Sequence, residues 1–161
     1  MSGSLRMGEV IKMSDTQYRI LALDQGTITG WAYGFKDEEF GSIEFINKNK
    51  IERWVEFCEW LDRFIKEIKP FTIVIEKPFF RGKSSDYLMA FANMSKVVAH
   101  KNEVAHMEVH GMTIKRHAGV KQGKLVNQAK GRGWNVSDDH QADALFLLDY
   151  VKKNGEIKHG V

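Results

Sequence analysis

A single cysteine and two prolines occur in 161 residues, and no apolar run is long. Cys58 has no partner for an intramolecular disulfide, which excludes a disulfide-stapled scaffold and predicts a reducing compartment, the cytoplasm. Nothing approaches the roughly 18 consecutive apolar residues of a membrane span, so no membrane partner is expected. The first residues, MSGSLRMGEVIKMSDTQ, lack the apolar stretch of a secretory leader. They are polar and without strong periodicity, and residues 1–17 are predicted to form a flexible tail ahead of one domain over residues 18–161. Low-complexity disorder is excluded for that domain, because 43% of the chain is hydrophobic.

Acid is missing from one stretch in particular. Between Gly111 and Ser137 there is no Asp or Glu, while Lys115, Arg116, Lys121, Lys124, Lys130 and Arg132 all fall there. Residues 1–76 carry ten Lys and Arg against thirteen Asp and Glu; residues 77–161 carry fourteen against eight. Such a stretch is either a solvated face or the binding surface of a polyanion, and charge alone leaves both open.

What is present reads as an α/β domain. Tyr18 to Asp24 is a short apolar run ending in an acid and a turn, and predicts a buried strand. Thr29 to Phe35 and Phe40 to Ile46 predict two more strands in an antiparallel meander. From Lys50 to Lys69, Ile51, Trp54, Val55, Cys58, Leu61, Ile65 and Ile68 recur at helical steps, widened by Phe57, Trp60 and Phe64, so an extensively buried helix is expected. Pro70 ends it. Phe71 to Glu76 is a near-continuous apolar strand of the kind covered on both faces. Ser85 to Val104 is a second helical pattern whose apolar surplus reads as core, with an interface as the alternative, His106 to His110 a strand, Lys121 to Lys130 a helix, and Asp138 to Lys153 a last helix with Ser137 as its N-cap. That order predicts a mixed sheet with helices packed on it.

Two of these strands end in a carboxylate, Asp24 after ILAL and Glu76 after IVI, at the boundary of the core, where an unpaired charge is costly. The last helix opens Ser-Asp-Asp-His-Gln-Ala-Asp-Ala, and helical spacing puts Asp139, His140 and Asp143 on one face, with Asp138 pointing elsewhere. Acids in a first turn also complement the helix dipole, which accounts for Asp138 and Asp139 but not for Asp143. Carboxylates brought that close repel one another unless cations intervene, and hard oxygen donors select Mg²⁺ or Mn²⁺. Two such ions about 3.5–4 Å apart are the apparatus of phosphodiester hydrolysis. An acidic centre in a basic chain points toward a nuclease.

ILALDQGTITGWAYG, IVIEKPFF and DDHQADALFLLDY, in that order and at these separations, resemble the three acidic motifs of RuvC-type Holliday-junction resolvases, over Arg19 to about Val151. The resemblance implies a ribonuclease H-like mixed five-stranded sheet with helices on both faces. It implies a homodimeric endonuclease that nicks opposed strands of branched DNA, chiefly four-way junctions and also three-way junctions and forks, using two Mg²⁺ ions per subunit with Mn²⁺ as substitute. Asp24, Glu76 and Asp143 match the family's catalytic carboxylates, and His140 or Asp139 the fourth ligand. Phe79, with Phe80 beside it, falls where the family has an aromatic that stacks at the junction. Arg81 and Lys83 in the following loop, with Lys115, Arg116, Lys121 and Lys124, complete the expected DNA-binding set. The turn DQGTITG is one residue shorter than the common DPG-containing form and closer to compact phage variants.

Two other readings remain. LALDQGT also resembles the first phosphate-binding motif of sugar kinases and actin-like ATPases, which need two related domains to enclose ATP and leave the basic stretch unexplained. A catalytically inactive junction-binding protein would need only the basic surface and the aromatics.

Overall fold

The computed structural model describes residues 19–79, 85–121 and 123–154. The expected tail over residues 1–17 and the expectations placed on Phe80, Arg81 and Lys83 lie outside the described residues.

β1 (Ile20–Asp24), β2 (Ile28–Gly34) and β3 (Glu39–Glu44) form the antiparallel meander, and β4 (Thr72–Lys77) and β5 (Ala105–His110) extend it in parallel on the other side of β1. The strand order is β3-β2-β1-β4-β5, a mixed five-stranded sheet as predicted. Between the strands and after them come α1 (Lys50–Ile68), α2 (Ser85–Lys101), α3 (Gly111–Ala118), α4 (Val126–Gly131) and α5 (Asp139–Asn154).

Successive strand side chains point to opposite faces, and this alternation sorts the core into two layers. Leu21 and Leu23 of β1 and Ile73 and Ile75 of β4 pack with Phe57, Leu61 and Ile65 of α1 and Phe91 and Val98 of α2. Ile20, Ala22 and Val74 face the other way, onto Leu145, Phe146 and Leu148 of α5 and Ile114 of α3. Both faces of the sheet are therefore covered, and β1 and β4 are apolar almost throughout. Continuing the same alternation, Asp24 and Glu76 belong to the face on which α5 lies.

The helices begin and end for local reasons. The Asn49 side chain accepts from the amides of Ile51 and Glu52, capping α1, and Lys69 takes a left-handed conformation (φ 47°) just before Pro70. The buried edge of α1 is Phe57, Leu61 and Ile65, whereas Ile51 and Val55 are exposed, so the expected stripe is narrower than its apolar count and centred on the aromatic side. In α2 the core reading holds for Phe91 and Val98, while Leu88 and Val97 are exposed.

Two expectations need correction. The basic stretch forms a helix directly after β5, α3, which the sequence did not predict, and the helix expected over Lys121–Lys130 is reduced to α4 at Val126–Gly131. Gly119 and Gly123, both at positive φ, separate the two. The cap of α5 is Asp138 rather than Ser137. Asp138 Oδ1 accepts from the Gln141 amide at 2.8 Å and its Oδ2 from the Ser42 hydroxyl at 2.6 Å, while Gln141 Oε1 accepts from the Ser137 amide at 2.9 Å.

Candidate active site

The β1–β4 ladder runs from Ile20↔Thr72 to Leu23↔Ile75 and stops one residue short of the two carboxylates. Asp24 and Glu76 thus end neighbouring parallel strands at the same level, just past the last paired residues. From the helix layer on that face, the first turns of α5 bring His140 and Asp143 over them. This approach depends on Gly30 of β2, where a Cβ would overlap the main-chain carbonyl of His140. Gly111, at the start of α3, does the same for Glu76, whose Oε1 occupies the place a Cβ would take.

The four side chains line one cleft of about 540 Å³, with Gln25 and Lys115 among the other polar groups around it and Ile114, Leu125 and Leu88 giving it apolar walls. His140 Nδ1 lies 2.8 Å from Asp24 Oδ2 and donates to it. That bond raises the imidazole's affinity for a proton, against the effect of burial. Burial pushes the Asp24 carboxyl up despite His140. Glu76 is pushed up to about 7, first by burial and then by Asp24, with Lys115 opposing. Asp143 is pushed up to about 8 by burial and by the charges of Asp24 and Glu76. Asp24 thus makes Glu76 harder to ionise, and both make Asp143 harder to ionise, at the end of the sheet.

Such a donor set fits hard divalent cations, which would replace the missing counter-charge, and Gly111 leaves the space beside Glu76 clear. Among the described residues no group of three or more His, Cys, Asp or Glu side chains is arranged to hold a metal ion as it stands, so cation binding would draw these side chains together. Asp139 is turned aside from this group. One of its oxygens pairs with Lys124 Nζ at 2.8 Å, and the other, Oδ1, is buried without a partner among the described residues.

The expected DNA-binding residues separate into groups. Lys115 faces the cleft and acts on Glu76, whereas Arg116 and Lys121 are exposed and Lys124 is held by Asp139. Phe79 is 63% exposed and borders a second hollow of about 370 Å³ with Lys77, His110 and Met112, sharing Glu76, Gly111 and Lys115 with the main cleft. Met112, 66% exposed, was not singled out by sequence because an isolated methionine in a basic segment carries no pattern. Gln25 and Gly111 were missed as well, and only the position of Gln25, directly after Asp24, hinted at a role.

A hub outside the cleft holds α3 to α5. Asp149 is buried and accepts from His117 Nε2 at 2.8 Å, Arg132 at 2.7 Å and Lys153 at 3.1 Å. Burial alone would raise its pKa, but these partners together hold it below the ordinary range. Through His117 the hub fixes the helix that carries Lys115.

Comparison with solved structures places this architecture. The sequence matches no protein-family profile and no curated relative. By shape, the chain is similar to Thermus thermophilus RuvC in complex with a Holliday-junction substrate (TM-score 0.68, 16% identity, covering 85% of this chain and 96% of that one). It is similar to Thermus thermophilus RuvC solved alone (TM-score 0.66, 17% identity, 87% and 98% covered). It is also similar to Ydc2, the yeast mitochondrial Holliday junction resolvase (TM-score 0.63, 10% identity, 89% and 81% covered). The chain therefore has the ribonuclease H-like fold of these resolvases, as its three acidic motifs implied.

Proposed function

We propose that this chain is a divalent-cation-dependent endonuclease that nicks branched DNA, four-way junctions foremost, and that it works as a homodimer in the cytoplasm. One observation carries the reading: Asp24, Glu76 and Asp143 converge from two neighbouring parallel strands and a facing helix in an open cleft with a lysine on its wall. The likeness in shape to solved junction resolvases supports it. No helix of the described residues is long and apolar enough to cross a membrane.

Asp24, Glu76 and Asp143 would hold Mg²⁺ or Mn²⁺, two ions per subunit, with His140 the fourth group nearest to them and Asp139 behind its lysine. When bound, such ions supply an activated water and neutralise the charge on the leaving oxygen. The protein's own groups do the rest. Lys115 attracts the phosphate into the cleft and tempers the repulsion it meets from Glu76. His140 holds Asp24 in place through its ring N–H. Phe79 offers a stacking surface to a base left unpaired at a branch point, and bases inside linear duplex cannot reach it. Two sites related by a two-fold axis would match a substrate that is nearly two-fold itself.

The test is a panel of end-labelled four-way, three-way, forked and linear DNAs incubated with Mg²⁺, Mn²⁺ or EDTA. Paired nicks in opposed strands of the four-way junction, dependent on metal and weak on linear duplex, are expected. Binding without nicking in any metal would indicate an inactive junction-binding protein, and ATP binding without DNA binding the kinase-like alternative. Either result overturns the proposal. Sedimentation at micromolar concentration should give a dimer.

A further inference from the structure

Gln25 follows Asp24 at the end of β1 and lines the cleft, yet only 8% of it is exposed. Its side-chain amide Nε2 donates to the main-chain oxygen of Glu76 at 2.7 Å. The regular pairing of β1 with β4 has already ended at Leu23↔Ile75, so this bond joins the two strands at the level where the carboxylates project. With the N–H committed to Glu76, the amide oxygen is fixed on the other branch. That oxygen, Oε1, is buried and has no hydrogen-bond partner among the described residues.

Half of the side chain therefore makes a strong contact and half is left unsatisfied, which is rare for a buried amide. Gln141 of α5 shows what the same side chain does elsewhere in this fold: its Oε1 accepts from the Ser137 amide and its Nε2 donates to the Ser42 hydroxyl. For stability alone, an apolar residue of similar length at position 25 would be close to neutral, since it removes an unpaired buried oxygen and at the same time takes one donor from the Glu76 main-chain oxygen. A local rule broken beside a functional cluster, with no gain in stability to offset it, points to function.

We propose that Gln25 is a positioning residue of the cation site: its amide N–H replaces the missing ladder bond and fixes the separation of Asp24 and Glu76. It touches neither substrate nor reacting atoms. The inference rests on the nuclease reading, and the test separates the two. Groups that orient metal ligands from behind change cation affinity by about 10–100-fold when removed. Gln25→Met keeps length and volume but cannot donate.

The full-length wild type and Gln25→Met are compared by calorimetric titration with Mn²⁺, by thermal unfolding in EDTA, and by steady-state nicking of a four-way junction. The variant should unfold within a few degrees of the wild-type temperature, bind Mn²⁺ about tenfold more weakly, and lose kcat with KM for the junction unchanged. Gln25→Asn, one carbon too short to reach the Glu76 oxygen, should lose Mn²⁺ affinity as the Met variant does. Wild-type Mn²⁺ affinity in Gln25→Met, or a loss of affinity that only follows a lowered unfolding temperature in both variants, overturns the proposal. A wild type that binds no Mn²⁺ overturns the nuclease reading instead.

Discussion

With Glu76 pushed up to about 7 and Asp143 to about 8, the cleft of the metal-free protein holds protons near neutrality that ordinary carboxyls would have released. Unfolding returns these groups to the ordinary range near 4, so between pH 4 and 8 the folded chain binds more protons than the unfolded one, and stability falls as pH rises through that window. Asp143→Asn should therefore stabilise the metal-free protein at pH 8, by roughly 1–3 kcal/mol, and change it little at pH 4. Urea unfolding in EDTA at the two pH values checks this; equal effects at both would mean that Asp143 is not under strain. Lys115 and Lys124 differ at the same scale. Each phosphate contact contributes about 0.9 to the slope of log affinity against log salt on duplex DNA. Lys115→Ala should flatten that slope by about this amount, and Lys124→Ala by less, because Asp139 already holds Lys124. Binding titrations from 50 to 200 mM salt would reveal the order. Asp24, Glu76 and Asp143 were legible in the sequence because an acid closing an apolar run, or interrupting an apolar helix face, conflicts with its surroundings. Gln25 and Gly111 conflict with nothing nearby in sequence, and their roles exist only once β1, β4 and α3 are assembled.

Elements place these residues, and the tightest placement is that of α5 on β2. Gly30→Ala would drive a methyl into the His140 carbonyl, and neither partner is the flexible end of a side chain. Overpacking of this kind typically costs about 1–3 kcal/mol, and here it also lifts His140 and Asp143 away from Asp24. The variant should melt lower and lose nicking more completely than its stability loss explains, as activity measured well below its unfolding temperature would show. Normal activity in Gly30→Ala would mean that α5 need not lie so close. The strands and the two long helices were readable because apolar spacing extends over many residues and Pro70 marks a boundary. α3 was not: it has eight residues, one buried side chain (Ile114) and no side-chain cap at His110, so neither periodicity nor a start signal distinguishes it. The N-cap of α5 slipped by one residue because Ser137 and Asp138 are both good caps, and what favours Asp138 is Ser42 of β3, far away in sequence.

For the whole molecule, acids from both halves of the chain meet in one cleft, with a lysine of the basic stretch beside them. The carboxylates gather at one end of the central strands, and the basic stretch folds into α3, α4 and their connections, bringing Lys115 to the cleft wall. The hub at Asp149 ties that basic layer to α5, so the parts that would bind phosphate and those that would hold cations form one packed unit. Two apolar strands that must be covered on both faces made the mixed sheet with packed helices legible, while its ribonuclease H-like form was legible only through the resemblance of the three acidic motifs. A cation-dependent phosphodiester site at Asp24, Glu76 and Asp143, as proposed, is checked most directly by measuring junction binding and Mn²⁺-dependent nicking side by side for the wild type, Asp24→Asn and Glu76→Gln. Both variants should bind the four-way junction at least as tightly as the wild type, as repulsion of phosphate falls, and nick it at least 100-fold more slowly, on the order of the loss when a catalytic group is removed. Nicking by either variant at the wild-type rate would contradict the proposal.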